Sequence, residues 1–181
     1  MIYVLHEMAD RTQPTGIRVL GIDTSLRSTG FGVIEQIGNR VIPVEYGNIR
    51  IPQSVRISEA LLRISTGIAE VARRTGAQVA SIEDIFFCKN IRTAITLGEA
   101  RGAVLSTLES LGIPTYEYAP RKVKQAVTGN GAAEKQQVHK MLMTILGIKE
   151  MPQEDAGDAL AMAVCHVHNN SSIRELMPER I

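Results

Sequence analysis

The chain has 181 residues and a formal net charge of +1, with 44% hydrophobic and 22% charged residues. That length is enough for one domain with its own hydrophobic core. The near-zero charge excludes a global polycation, and no stretch approaches the roughly 18 apolar residues that a membrane-spanning helix needs.

Residues 1–16 lack the apolar block of a signal peptide and contain Pro14, Gly16 and mixed charges, so they read as a flexible N-terminal extension. Ile17 to Asp23 reads as a buried strand, and Gly30 to Gln36 as a second. The short link between them, Thr24-Ser25-Leu26-Arg27-Ser28-Thr29, makes the pair a hairpin. Gly38-Asn39 turns the chain into a third strand, Arg40 to Arg50. Ser54 to Thr75 has helical spacing, with Leu61, Ile64, Ile68 and Val71 on one face, Ser54 or Ser58 as cap and Gly76 as stop. Gln78 to Glu83 is a short apolar strand, Asn90 to Leu111 a long helix, and Pro114 to Tyr118 a fifth strand. Pro120 opens a short helix, a favoured first-turn position for proline. Ala133 to Leu146 is helical and stops at Gly147, and Pro152 precedes a last helix ending near His168. A polar tail, 169–181, follows. Three consecutive strands and then alternation predict an α/β domain over 17–168, with a mixed sheet and helices on both faces.

Four carboxylates stand at the edges of apolar runs. Val19-Leu20-Gly21-Ile22 leads into Asp23, and Val79-Ala80-Ser81-Ile82 into Glu83. Asp155 and Asp158 open the stretch Ala159 to Val164, and their spacing of three places both on one helical face. Carboxylates at the edge of a core are costly, and four together repel one another unless a cation compensates them. Mg²⁺ prefers carboxylate oxygens and water, so the set points to a metal-dependent phosphate-cutting centre. For the Asp155–Asp158 pair alone, compensation of the helix dipole is the competing explanation. Asp84 and Glu154 point elsewhere by periodicity. Positive charge is local: Arg121, Lys122, Lys124, Lys135 and Lys140 face a single acid, Glu134, in that stretch. Arg121, Lys122 and Lys124 suit phosphate gripping, and Lys135 suits stabilisation of a strained phosphorane. Phe86, beside Phe87, either fills core or stacks on an unpaired base, with Lys89, Asn90 and Arg92 near it. Cys88 and Cys165 lack metal-type spacing and read as free thiols in a reducing, cytoplasmic setting. His139 is expected at the surface. His166 and His168, two apart, do not share a face, and no histidine is assigned to catalysis.

Five blocks in order carry a family resemblance. Gly21-Ile22-Asp23-Thr24-Ser25-Leu26-Arg27-Ser28-Thr29-Gly30-Phe31-Gly32-Val33-Ile34 resembles the first strand pair of RuvC-type Holliday-junction resolvases. The blocks Ile82 to Asn90, Tyr118 to Gln125, Gly129 to Lys135 and Asp155 to Ala161 resemble the same family, and the set spans about Val19 to His168. The resemblance implies a ribonuclease-H-like fold with a mixed five-stranded sheet, its first three strands antiparallel. It implies a homodimer that resolves four-way DNA junctions in recombination and repair by paired symmetric nicks, leaving 5′-phosphate and 3′-hydroxyl ends. It implies two Mg²⁺ ions per active site, with Mn²⁺ as a possible substitute, held by Asp23, Glu83, Asp155 and Asp158. It also implies functional roles for Lys124 and Lys135, an aromatic near the junction centre at Phe86, and RuvA and RuvB as branch-migration partners. The family's usual Pro-Gly after the first aspartate is replaced here by Thr24-Ser25, so that turn can take its own backbone path. Two other readings remain: a fragment of an actin-like or sugar-kinase-like ATPase, from the Gly21 to Gly32 hairpin, and a junction-binding module without nuclease activity.

Overall fold

A computed structural model of the chain describes residues 2–5, 16–84, 90–150, 152–169 and 180–181. Six strands form one mixed sheet: β1 (Ile2–Leu5), β2 (Ile17–Asp23), β3 (Ser28–Ile37), β4 (Arg40–Arg50), β5 (Val79–Glu83) and β6 (Thr115–Tyr118). Their order is β1-β4-β3-β2-β5-β6. β2, β3 and β4 make the expected antiparallel trio, and β5 and β6 add in parallel beyond β2. The five expected strands are all present. The sheet has one more, because Ile2–Leu5, within the stretch read as an extension, pairs antiparallel with β4 from Ile49 to Tyr46. At the opposite edge Arg180 bridges Tyr116, and the Ile181 amide donates to the Thr115 carbonyl at 3.0 Å.

Period-2 alternation divides the core in two. Leu20, Ile22, Phe31 and Val33 face α1 (Ile57–Thr75) and α2 (Ile91–Ser110), packing on Ile64, Ile68, Val104 and Leu108. Val19, Ile34 and Val79 face the other way, toward α3 (Pro120–Thr128), α4 (Lys135–Leu146) and α5 (Glu154–Asn169). α1 buries Ile64, Ile68 and Val71 as its spacing predicts, and Gly76 closes it at φ 64°. Its N-cap is Arg56, without a side-chain bond, and not Ser54 or Ser58. The first serine lies in the turn closed by the Val55 amide donating to the Pro52 carbonyl at 3.1 Å, and the helix starts at Ile57, just before the second. α4 begins at Lys135 with Glu134 and Gln137 in a reciprocal capping box.

α5 is the central helix, buried from Ala159 through His166. Small residues on the sheet bring it down. An ideal Cβ on Gly21 would sit 1.9 Å from the Ala159 carbonyl oxygen, and one on Gly30 would sit 2.1 Å from that of Asp155. Glycine is required at both because backbone meets backbone. The substituted turn after Asp23 is stitched by its own hydroxyls: Thr29 Oγ1 donates to the Ser25 carbonyl at 2.5 Å, and Ser25 Oγ accepts from the amides of Arg27 and Ser28, each at 3.4 Å.

Candidate active site

Strand register builds the floor of the site. Asp23 pairs with Gly30, and Gly30 pairs with Asn48. Ile22 pairs with Ile82, so Glu83 lies beside Asp23 on the neighbouring parallel strand. Glu83, Asp23, Gly30 and Asn48 therefore form one transverse row across β5, β2, β3 and β4. All four belong to the face that carries α5, because directly paired residues share a face. The first two turns of α5 bring Asp155 and Asp158 over this row, with the Asp155 backbone seated on Gly30.

The electrostatics record the convergence. Asp23 is pushed up to about 7, first by burial and then by the charges of Asp158, Asp155 and Glu83, with Lys135 opposing. Glu83 is raised by burial and by Asp158, again against Lys135. Lys135 Nζ donates to Asp158 Oδ2 at 2.7 Å and to Glu154 Oε1 at 2.6 Å. Burial alone would lower the Lys135 ammonium, but these two hydrogen bonds prevail and raise it. The same bond holds the exposed Glu154 carboxyl below its ordinary range.

A cleft of about 310 Å³ opens beside the carboxylates. Glu83, Asp158, Lys124 and Lys135 supply its polar lining, and Pro120, Val123 and Met162 part of its apolar wall. Of the three basic residues on α3, Lys124 lines this cleft. Lys122 Nζ lies 5.7 Å from the Tyr118 ring centroid, and Arg121 packs beside Gly131. A second groove of about 450 Å³ runs from the Ser25–Arg27 turn to the start of α2, where Asn90 and Arg92 line it. Phe86 and Lys89 lie outside the described residues.

Four residues near the carboxylates carry no role in the sequence reading. His139 is buried rather than at the surface, and its Nε2 lies 3.1 Å from Asp158 Oδ1. The reason is helical geometry: His139 is four residues after Lys135, so both reach α5 from one face of α4. Asn48 Nδ2 donates to Asp155 Oδ2 at 2.7 Å, and Ser28 Oγ donates to the same oxygen. Arg101, on α2, donates to the Glu83 carbonyl at 2.5 Å and to the Glu117 carboxylate, tying the ends of β5 and β6.

Among the described residues, no three His, Cys, Asp or Glu side chains already form a closed metal cage. Asp155 is turned to Asn48 and Ser28, and Asp158 to Lys135 and His139. The donor set nevertheless fits a hard divalent cation. Mg²⁺ is held by one or two carboxylates plus waters rather than by an all-protein cage, and Asp23 carries the electrostatic load that such a cation relieves.

A family model described as crossover junction endodeoxyribonuclease RuvC matches residues 19–166. The crossover junction endodeoxyribonuclease RuvC of Citrifermentans bemidjiense is 44% identical over 151 residues, covering 83% of this chain and 92% of that protein. A solved T. thermophilus RuvC in complex with Holliday junction substrate superimposes with a TM-score of 0.84 at 31% identity, over 91% of this chain and 99% of that one. The yeast mitochondrial Holliday junction resolvase Ydc2 shares the fold at 14% identity, with a TM-score of 0.62 over 88% of this chain and 80% of its own.

Proposed function

Because the chain belongs to the RuvC family of crossover junction endodeoxyribonucleases, we propose that Asp23, Glu83, Asp155 and Asp158 are its catalytic carboxylates and hold two Mg²⁺ ions, with Mn²⁺ able to substitute. The fold is ribonuclease-H-like, and the activity is endonucleolytic resolution of four-way DNA junctions. The ATPase-fragment reading is not favoured, since the family match runs through the whole domain from 19 to 166. The observation that carries the site assignment is the transverse row of Glu83 and Asp23 under the Asp155–Asp158 turn of α5.

Family membership implies a divalent metal, which when bound activates water and stabilises the leaving 3′-oxygen of a phosphodiester. The chain's own residues do the rest. Asp23 and Glu83 present oxygens from two strand ends whose spacing the sheet fixes. Asp155 and Asp158 present theirs from above. Lys135, anchored between Glu154 and Asp158, places an ammonium at the cleft edge where charge grows on the attacked phosphate. Lys124 faces the same cleft and, with Arg121 and Lys122, grips backbone phosphates without reading sequence. The test is nicking of a synthetic four-way junction with added Mg²⁺, compared with a linear duplex of the same sequence. Paired symmetric nicks with 5′-phosphate ends on the junction alone support the assignment; equal cutting of both substrates overturns it.

Lys124→Ala is expected to weaken junction binding and to shrink the slope of log affinity against log salt by about 0.9, one phosphate contact. Identical slopes for variant and wild type would remove Lys124 from the phosphate-binding set. Phe86 is assigned to stacking on an unpaired base at the opened junction centre. A fluorescent base analogue placed there should report Phe86→Ala as a change in intensity, and an unaltered signal returns Phe86 to a core role.

A homodimer would give two symmetric cuts from two sites. α2 supports it: Ile91 and Ile95 are 79% and 59% exposed, and Gly98 and Gly102 front open space. Sedimentation at micromolar concentration should show a dimer, and a monomer there overturns the pairing. RuvA and RuvB are the partners that family membership suggests, and the cytoplasm is the proposed compartment. No helix among the described residues is long and apolar enough to cross a membrane.

A further inference from the structure

We infer that Asn48 is a positioning residue that presets Asp155 for metal, an inference that rests on the reading of Asp155 as a metal-holding carboxylate. Asn48 sits on β4, two strands from Asp23 in the same transverse row, and is 1% exposed. Its Nδ2 donates to Asp155 Oδ2 at 2.7 Å and to Ser28 Oγ at 3.0 Å, while Ser28 Oγ donates to that same Oδ2. The three groups close a triangle in which both donors converge on one carboxylate oxygen. The other oxygen, Oδ1, would be the one left to hold a cation.

Three features argue that this arrangement serves more than the fold. Asn48 Oδ1 is buried and has no hydrogen-bond partner among the described residues. A buried amide with one end unpaired is costly, so this side chain is not the choice that packing alone would make. The amide also has only one tolerable orientation. Turned the other way, its carbonyl oxygen would face the Asp155 carboxyl oxygen. Both donors are neutral as well. Asp158 is held by the Lys135 ammonium, whereas Asn48 and Ser28 orient Asp155 without bringing a cation of their own. Without them Asp155, in the first turn of α5, is free to swing back to the amides of its own helix N-terminus. Partners behind a metal ligand typically account for about 10–100-fold in metal affinity.

The test is calorimetric titration of the full chain with Mn²⁺ alone, without DNA, for wild type, Asn48→Ala, Asn48→Leu, Ser28→Ala and Asp155→Asn. Asn48→Ala is expected to weaken Mn²⁺ binding by about tenfold or more. It should raise the Mg²⁺ concentration for half-maximal nicking in parallel, with junction affinity in EDTA unchanged. Asn48→Leu, which refills the strand position, should keep more of the wild-type melting temperature than Asn48→Ala yet bind Mn²⁺ as weakly, which separates positioning from folding. Wild-type Mn²⁺ affinity in both Asn48 variants, alongside a weakened Asp155→Asn, overturns the inference while sparing the metal reading. Wild-type affinity in Asp155→Asn instead overturns the metal reading beneath it.

Discussion

Asp23→Asn is expected to lower junction cleavage by at least about 10³-fold while leaving junction binding intact, and at the same time to make the metal-free protein more stable at pH 8. Both effects have one cause. Asp23 is half-buried on the sheet, and its partial burial first, then the three other carboxylates it faces, hold its carboxyl at about 7 instead of the ordinary 3.8. A folded-state value above the unfolded one means that the folded chain keeps a proton the unfolded chain has lost. Stability without metal therefore falls as pH rises from about 4 to about 7, and stays low above that. At about 1.4 kcal/mol per pH unit over that window, the penalty amounts to a few kcal/mol. Asparagine removes the charge and with it the penalty, so the variant's melting temperature should lose most of this pH dependence. Mg²⁺ should raise the wild-type melting temperature more at pH 8 than at pH 5, and should scarcely move that of the variant. Cleavage by Asp23→Asn within tenfold of wild type would falsify its place in the site. A wild-type melting temperature that rises from pH 5 to pH 8 without metal would refute the electrostatic account.

Gly21→Ala is expected to damage both fold and catalysis although residue 21 touches no substrate. Its new methyl would begin 1.9 Å from the Ala159 carbonyl oxygen and 2.7 Å from the Ala163 amide nitrogen. Neither atom belongs to a flexible side chain, so relief requires α5 to lift or tilt. Overpacking of this kind costs about 1–3 kcal/mol, and a backbone clash this close belongs at the upper end. The helix that moves carries Asp155 and Asp158, and a misplacement of about 1 Å is worth about 10²-fold in rate. Urea unfolding and junction nicking on the same preparation check the two effects together. A variant with wild-type stability and rate would show that Gly21 does not set the height of α5. Junction binding by Lys124 and its neighbours on α3 should persist in a folded Gly21→Ala sample.

Much of this architecture is legible in the chain itself. The runs ending in Asp23 and Glu83 are strands with the expected C-terminal edges, and the three-residue spacing of Asp155 and Asp158 does put both in the opening turns of one helix. Local sterics and hydrophobic periodicity act over a few residues, so they can be read without tertiary knowledge. Caps were less legible: α1 begins at Ile57 behind Arg56, with no serine hydroxyl on its first amides. The small residues in closest backbone contact with α5, Gly21 and Gly30, lie on the strands beneath it, and no local pattern marks them as its seat.

By itself the sequence determined the element types, the face of each strand, and which acids border the core, because those follow from side-chain alternation and local backbone preference. Only the tertiary structure decided that Glu83, Asp23, Gly30 and Asn48 share one row, that Ile2–Leu5 adds a sixth strand, and that His139 turns inward onto Asp158. Those outcomes depend on inter-strand register and on the height at which one helix meets the sheet. Both are set by contacts between residues far apart in the chain, such as Asn48 and Asp155, which no local pattern encodes.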